Sequence, residues 1–129
     1  MGQRHDIESA LKRVLGSPEF ATRAQLRAFL EFVVTRVLDG EPQRIKGYTI
    51  ATEAFGRPTD FDPQTDAIVR VEAGRLRQQL AIYYAGSGAT DPLRIVLPKG
   101  TYVPVFEARA NLVDAQPETE RLSAASVAE

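Results

Sequence analysis

The stretch from Asp66 to Phe106, DAIVRVEAGRLRQQLAIYYAGSGATDPLRIVLPKGTYVPVF, narrows the possible folds more than any other part of the chain. On a helical wheel at about 100° per residue, Val69, Ala73, Leu76, Leu80 and Tyr83 fall on one narrow stripe, the spacing of a helix that packs one side on a core. Gly86-Ser87-Gly88 stops that helix. Two β-rich runs follow, Leu93–Leu97 and Tyr102–Phe106, separated by Pro98-Lys99-Gly100-Thr101. The expectation is a helix leading directly into a hairpin whose tip is basic, with the second strand an edge because Pro104 cannot donate to a ladder.

Away from the apolar stripe the same helix carries Arg70, Gly74, Arg75, Arg77 and Gln78. A guanidinium presents a planar fork of donors that matches guanine edges or phosphate oxygens, and Gln can pair with adenine. Gly74 lets backbone approach backbone closely, at a cost of roughly 1 kcal/mol of helix stability against Ala. Arginines on a solvated helix face are also ordinary surface. The hairpin beside them, with Arg94 on its first strand and Lys99 and Gly100 at its tip, makes double-stranded DNA the first partner to consider. In that reading the helix enters the major groove and the hairpin reaches adjacent backbone or minor groove.

Upstream, Tyr48, Ile50, Ala51, Ala54 and Phe55 suit a short helix stopped by Gly56. A short helix, a loop and the arginine helix form a helix-turn-helix order, with a connection (57–65) longer than the tight turn of the simplest repressors. Asp62 and Thr65 are candidate N-caps and Pro63 a candidate first-turn residue.

The run VRVEAGRLRQQL followed by IVLPKGTYVPVF resembles the end of the winged-helix effector domain of OmpR/PhoB-type response regulators. Over nearly all of residues 7–106 the pattern SPEF…FLEFVV…IKGYTIATEAFGR…FDPQTDAIVRVEAGRLR…YY…LPKGTYVPVF is also similar to the N-terminal domain of bacterial multidomain proteins, where it precedes adenylate-cyclase, TPR or TolB-like segments. The resemblance implies a mainly α fold, a winged helix-turn-helix with a C-terminal β-hairpin wing and extra N-terminal helices. It also implies Arg70, Gly74, Arg75, Arg77 and Gln78 on the recognition helix, and Lys99 with Gly100 on the wing. Unlike the response regulators, this sequence shows no strand-rich segment ahead of its first helix, so an amino-terminal sheet is not expected.

The front third is helical by pattern. Asp6 is a possible cap for a helix to Leu15, and a longer one over roughly 22–39 places Leu26, Phe29, Leu30, Val33, Val34, Val37 and Leu38 at core spacing before Gly40. Phe32 lies off this stripe by roughly 120°, and with Phe29 it widens the apolar arc. Burial on two sides within one domain is the favoured explanation; a homodimer seam through Phe29 and Phe32 is the other. The pattern thus predicts helices at about 6–15, 22–39, 46–55 and 64–85, and a hairpin over 93–106.

With 129 residues, 43% of them apolar, one compact domain over 1–106 is expected, followed by an Ala-, Ser- and Glu-rich tail over 107–129 that reads as disordered. No run approaches the roughly 18 apolar residues of a membrane span, and no signal sequence opens the chain, so a cytoplasmic location is expected. The absence of cysteine removes disulfides, thiolate chemistry and Cys-ligated zinc. His5 alone offers little to a relay or metal site, and Asp60, Asp62 and Asp66 lack the glycine and glutamate that an EF-hand loop requires. No enzyme activity, cofactor, metal or small-molecule ligand is therefore expected. The net charge of −1 is unevenly spread: residues 67–106 hold five Lys or Arg against two Asp or Glu. A sequence-specific DNA-binding transcription regulator is the first hypothesis. The second is a protein-interaction or oligomerisation module that keeps the fold without using it on DNA. A continuous positive surface across Arg70, Arg75, Arg77, Arg94 and Lys99 would favour the first, and scattered charges beside an exposed apolar patch the second.

Overall fold

The computed structural model describes residues 2–57 and 63–108. Within them the chain is mainly helical with one small antiparallel hairpin. Helix α1 spans Gly2–Leu15, α2 spans Ala24–Leu38, and α3 is a single turn at Gly47–Thr49 continued by a π-turn over Ile50–Ala54. Helix α4 spans Pro63–Ala85, and strands β1 (Leu93–Val96) and β2 (Val105–Ala108) close the order.

Each apolar stripe turns inward as its spacing requires. In α4, Val69, Ala73, Leu76, Leu80 and Tyr83 are all buried, and they meet Leu26, Phe29, Leu30, Val33 and Val34 of α2 and Ile7, Ala10, Leu11 and Val14 of α1 in one core. Helix α1 begins four residues earlier than expected, so Asp6 lies inside the helix and exposed, not at its cap. Helix α2 ends at Leu38, and Gly40 follows with φ +77°, the left-handed conformation that terminates helices. The expected short third helix is only partly α. The Phe55 amide bonds to Ile50 O five residues back, a wider turn, and the Phe55 ring meets Phe29 edge-on at 5.6 Å between centroids. Tyr48, expected on the apolar side of that helix, is half exposed. Pro63 opens α4, where its missing N–H costs nothing, while the cap candidate Asp62 lies outside the described residues, as do Asp60 and residues 109–129 of the expected tail.

Phe29 corrects the expected dimer seam. It is fully buried, clasped edge-on by Phe55 and by Tyr102 at 6.2 Å, because α2 is covered on two sides within the chain. Phe32 is half-buried against the core, and the Arg36 guanidinium lies over its ring at 5.7 Å.

The hairpin is shorter in its pairing than the two β-rich runs implied. β1 and β2 pair in the register Leu93 with Ala108, Arg94 with Glu107, Ile95 with Phe106 and Val96 with Val105. The second strand therefore starts after Pro104, and reaches into what the sequence marked as tail. Residues 97–104 form one long loop, with Lys99 and Gly100 exposed in its turn and Gly100 at φ +86°. Two contacts fix β1 to the helices: the Ile95 amide donates to the Tyr84 hydroxyl at 2.7 Å, and Asp91 forms a two-bond clamp with Arg13 of α1, each bond 2.9 Å. Among the described residues, no helix is long and apolar enough to cross a membrane.

Candidate functional site

The outward side of α4 is a band of exposed residues running from Asp66 and Ala67 through Arg70, Val71, Gly74, Arg75 and Gln78 to Ala81 and Ile82. These positions share one arc of the helix wheel, opposite the buried stripe. Among the described residues nothing covers Gly74: a Cβ built there would meet no atom within 4 Å.

The two exposed arginines differ in how they are held. Arg70 faces Asp66 one turn earlier at 3.9 Å, with both side chains more than three-fifths exposed. Such a surface pair contributes little and exchanges readily for another anion. Arg75 donates from Nη1 to Glu72 Oε2 at 2.8 Å, and the Glu72 side chain is only 12% exposed. Its carboxylate holds Arg75 in one orientation, a charge-assisted contact that leaves the rest of the guanidinium at the surface.

Arg77 has a different job from the one its position on the helix implied. Its Nε donates to Leu97 O at 3.0 Å, and its Nη2 donates to Pro98 O at 3.1 Å and Thr101 O at 3.0 Å. Three loop carbonyls are thereby satisfied by one side chain, and the hairpin loop is lashed to the middle of α4. Tyr102 backs this attachment. Burial raises the pKa of its hydroxyl, the Asp66 carboxylate adds to the shift, and Arg70 and Arg77 oppose it. Lys99 and Gly100 are thus carried alongside the exposed face of α4.

Arg94 departs from the expected surface as well. It is half-buried with its guanidinium over the Tyr84 ring at 5.2 Å, and its Nε is a buried atom with no hydrogen-bond partner among the described residues. Of the five basic residues expected to form a continuous patch, Arg70, Arg75 and Lys99 are exposed, whereas Arg77 and Arg94 are committed to the fold. The structure brings Arg70, Gly74, Arg75 and Gln78 onto one face with the Lys99–Gly100 loop beside it.

Comparisons of the chain with known protein families, with curated proteins and with solved structures find no match. Sequence reasoning missed Glu72 as the residue orienting Arg75, although it sits three positions earlier at helical contact distance. It also passed over Val71, 54% exposed and well off the core stripe, and Tyr102 as an anchor of the loop. Val71, Ala67, Ile68, Glu72 and Arg75 line a recess on this side of the helix. No group of three metal-ligating side chains occurs among the described residues.

Proposed function

We propose that the chain is a double-stranded DNA-binding domain of winged-helix type acting in transcription regulation, with α4 in the major groove and the 97–104 loop on adjacent backbone or minor groove. The observation that carries this reading is the attachment of that loop to α4 through Arg77, which sets an exposed lysine beside a helix face bearing Arg70, Gly74, Arg75 and Gln78. Arg75, oriented by Glu72, suits bidentate reading of a guanine edge. Arg70 and Lys99 suit phosphate, which needs charge and reach more than fixed orientation. The fourth helix from the chain start and the hairpin then correspond to recognition helix and wing, and α1 to an added support.

A second reading, a protein-interaction module, draws on Val71 and Ile82, both about half exposed on the same arc of α4. A homodimer through the α2 surface around Phe32 is compatible with either reading, since pairing would double a modest set of phosphate contacts. Selection from a random duplex library with the purified protein separates the two readings. Enrichment of one sequence, bound at least tenfold more weakly when Arg70 and Arg75 are both replaced by Ala, supports DNA reading. Unchanged binding by that variant, with its helical circular dichroism intact, rejects α4 as the reading element.

A further inference from the structure

The geometry points to a thymine-specific contact on α4: Val71 meets the C5-methyl group of a thymine one or two base steps from a guanine read by Arg75. This rests on the DNA-binding reading and adds what the helix recognises. Val71 is an aliphatic side chain about half exposed, as Ile82 is further along the same helix, but Val71 alone of the two is flanked by Arg70 and Arg75. Its open half is aliphatic surface at the edge of the recess lined by Ala67 and Ile68, and covering it with an apolar group of a ligand is favourable. The major groove offers one such group, the thymine methyl, and Arg70 beside Val71, whose pair with Asp66 is exposed and long at 3.9 Å, can exchange that carboxylate for a phosphate.

Gly74 supplies the access. Its φ is not in the left-handed region and an added Cβ would touch nothing among the described residues, so neither backbone conformation nor packing there calls for glycine, although glycine weakens the helix. Absence of a side chain on the outward face lets the backbone approach a groove floor closely, bringing the Val71 methyls next to base edges. Val71 and Arg75 are one turn apart, about 6 Å along the axis at 1.5 Å per residue. That spans roughly two steps of about 3.4 Å on one strand. The Glu72 contact biases Arg75 towards one orientation before DNA binds, which favours a particular spacing between the apolar and the guanidinium contact.

The test uses the duplex enriched from a random library, with each thymine replaced singly by deoxyuridine, which removes the methyl group and leaves the pairing edge intact. Native protein is expected to lose about fourfold in affinity at one position, the worth of one buried methyl group. In Val71→Ala, a change that favours the helix and withdraws the two outer methyl groups, that sensitivity is expected to fall below twofold while the guanine preference remains. Gly74→Val is expected to weaken binding of the unmodified duplex by tenfold or more. Tight binding with no sensitive thymine, or sensitivity that persists in Val71→Ala, overturns the inference while leaving DNA binding standing. Failure to enrich any duplex overturns both. Self-association that disappears in Val71→Asp by sedimentation, without thymine sensitivity, reassigns the surface to a second copy of the chain.

Discussion

Asp91 shows how much a single side chain carries in a fold of this size. Its carboxylate is almost fully buried, accepting both Arg13 bonds, the Leu93 amide at 3.1 Å and the Tyr83 hydroxyl at 3.3 Å. Burial pushes its pKa up, but the Arg13 hydrogen bonds, the Leu93 amide and the Arg13 charge pull harder, and the net shift is downward. A depressed carboxylate contributes stability above its ordinary pKa near 4, and loses it as pH falls through the lower folded-state value. Asp91→Asn is therefore expected to have a lower urea midpoint than native protein at pH 7, with the gap closing towards pH 2. Arg13→Ala, which strands the buried carboxylate, is expected to cost about 2 kcal/mol by the same measurement, below the usual figure for a buried pair because Arg13 is itself half exposed. Tyr84 works in the opposite direction. Burial raises its hydroxyl pKa to about 12, so its contribution is whole below pH 10 and disappears as pH rises towards 12. Tyr84→Phe is expected to lose about 1 kcal/mol at pH 7, where the Ile95 amide lacks its acceptor, and to show a shallower alkaline decline than native protein.

At the scale of elements, α4 and the hairpin loop act as one unit because Arg77 joins them. Arg77→Ala is expected to accelerate amide exchange across residues 97–104 while leaving the centre of α4 protected. Arg77→Lys is not expected to restore protection, since a single ammonium cannot reproduce the fork that reaches three carbonyls. Gly74→Ala is expected to raise stability by up to about 1 kcal/mol, seen as a higher urea midpoint, because helix propensity improves and the new methyl meets no neighbour. The burial of α4 was legible in the sequence, since a stripe of five apolar residues at helical spacing leaves few other solutions. The fate of its arginines was not. Arg77 and Arg70 lie seven residues apart on nearly the same line of the helix, and only the path of a loop more than 20 residues further along decides that one is bonded inward and the other left outward. Phe29 and Phe32 were ambiguous for a related reason. A wide apolar arc records that two surfaces are covered, not whether the second cover is Phe55 and Tyr102 of the same chain or a second copy. Ser17-Pro18-Glu19-Phe20 carried no periodic signal, yet Phe20 is fully buried against Tyr83 and the Glu19 carbonyl accepts from Gln79.

For the whole molecule, charge sets the scale of any DNA affinity. The chain carries a net charge of −1, and the exposed cations of the proposed face reduce to Arg70, Arg75 and Lys99, of which Arg70 and Arg75 already face carboxylates. Each phosphate contact contributes about −0.9 to the slope of log K against log salt, so a single domain using Arg70 and Lys99 on backbone is expected to show a slope of about −2. Lys99→Ala is expected to reduce that slope by about one contact and to weaken all sequences alike, whereas Arg75→Ala is expected to leave the slope nearly unchanged and cost about 1–3 kcal/mol at one base position. The contrast follows from structure: Lys99 rides on a loop tip, while Arg75 is pinned by a nearly buried carboxylate. Two domains bound side by side would double the slope to about −4, and sedimentation of the complex would show two chains per duplex. A measured slope near zero, with duplex binding intact, would mean that Arg70 and Lys99 do not meet phosphate and that the affinity comes from base contacts alone.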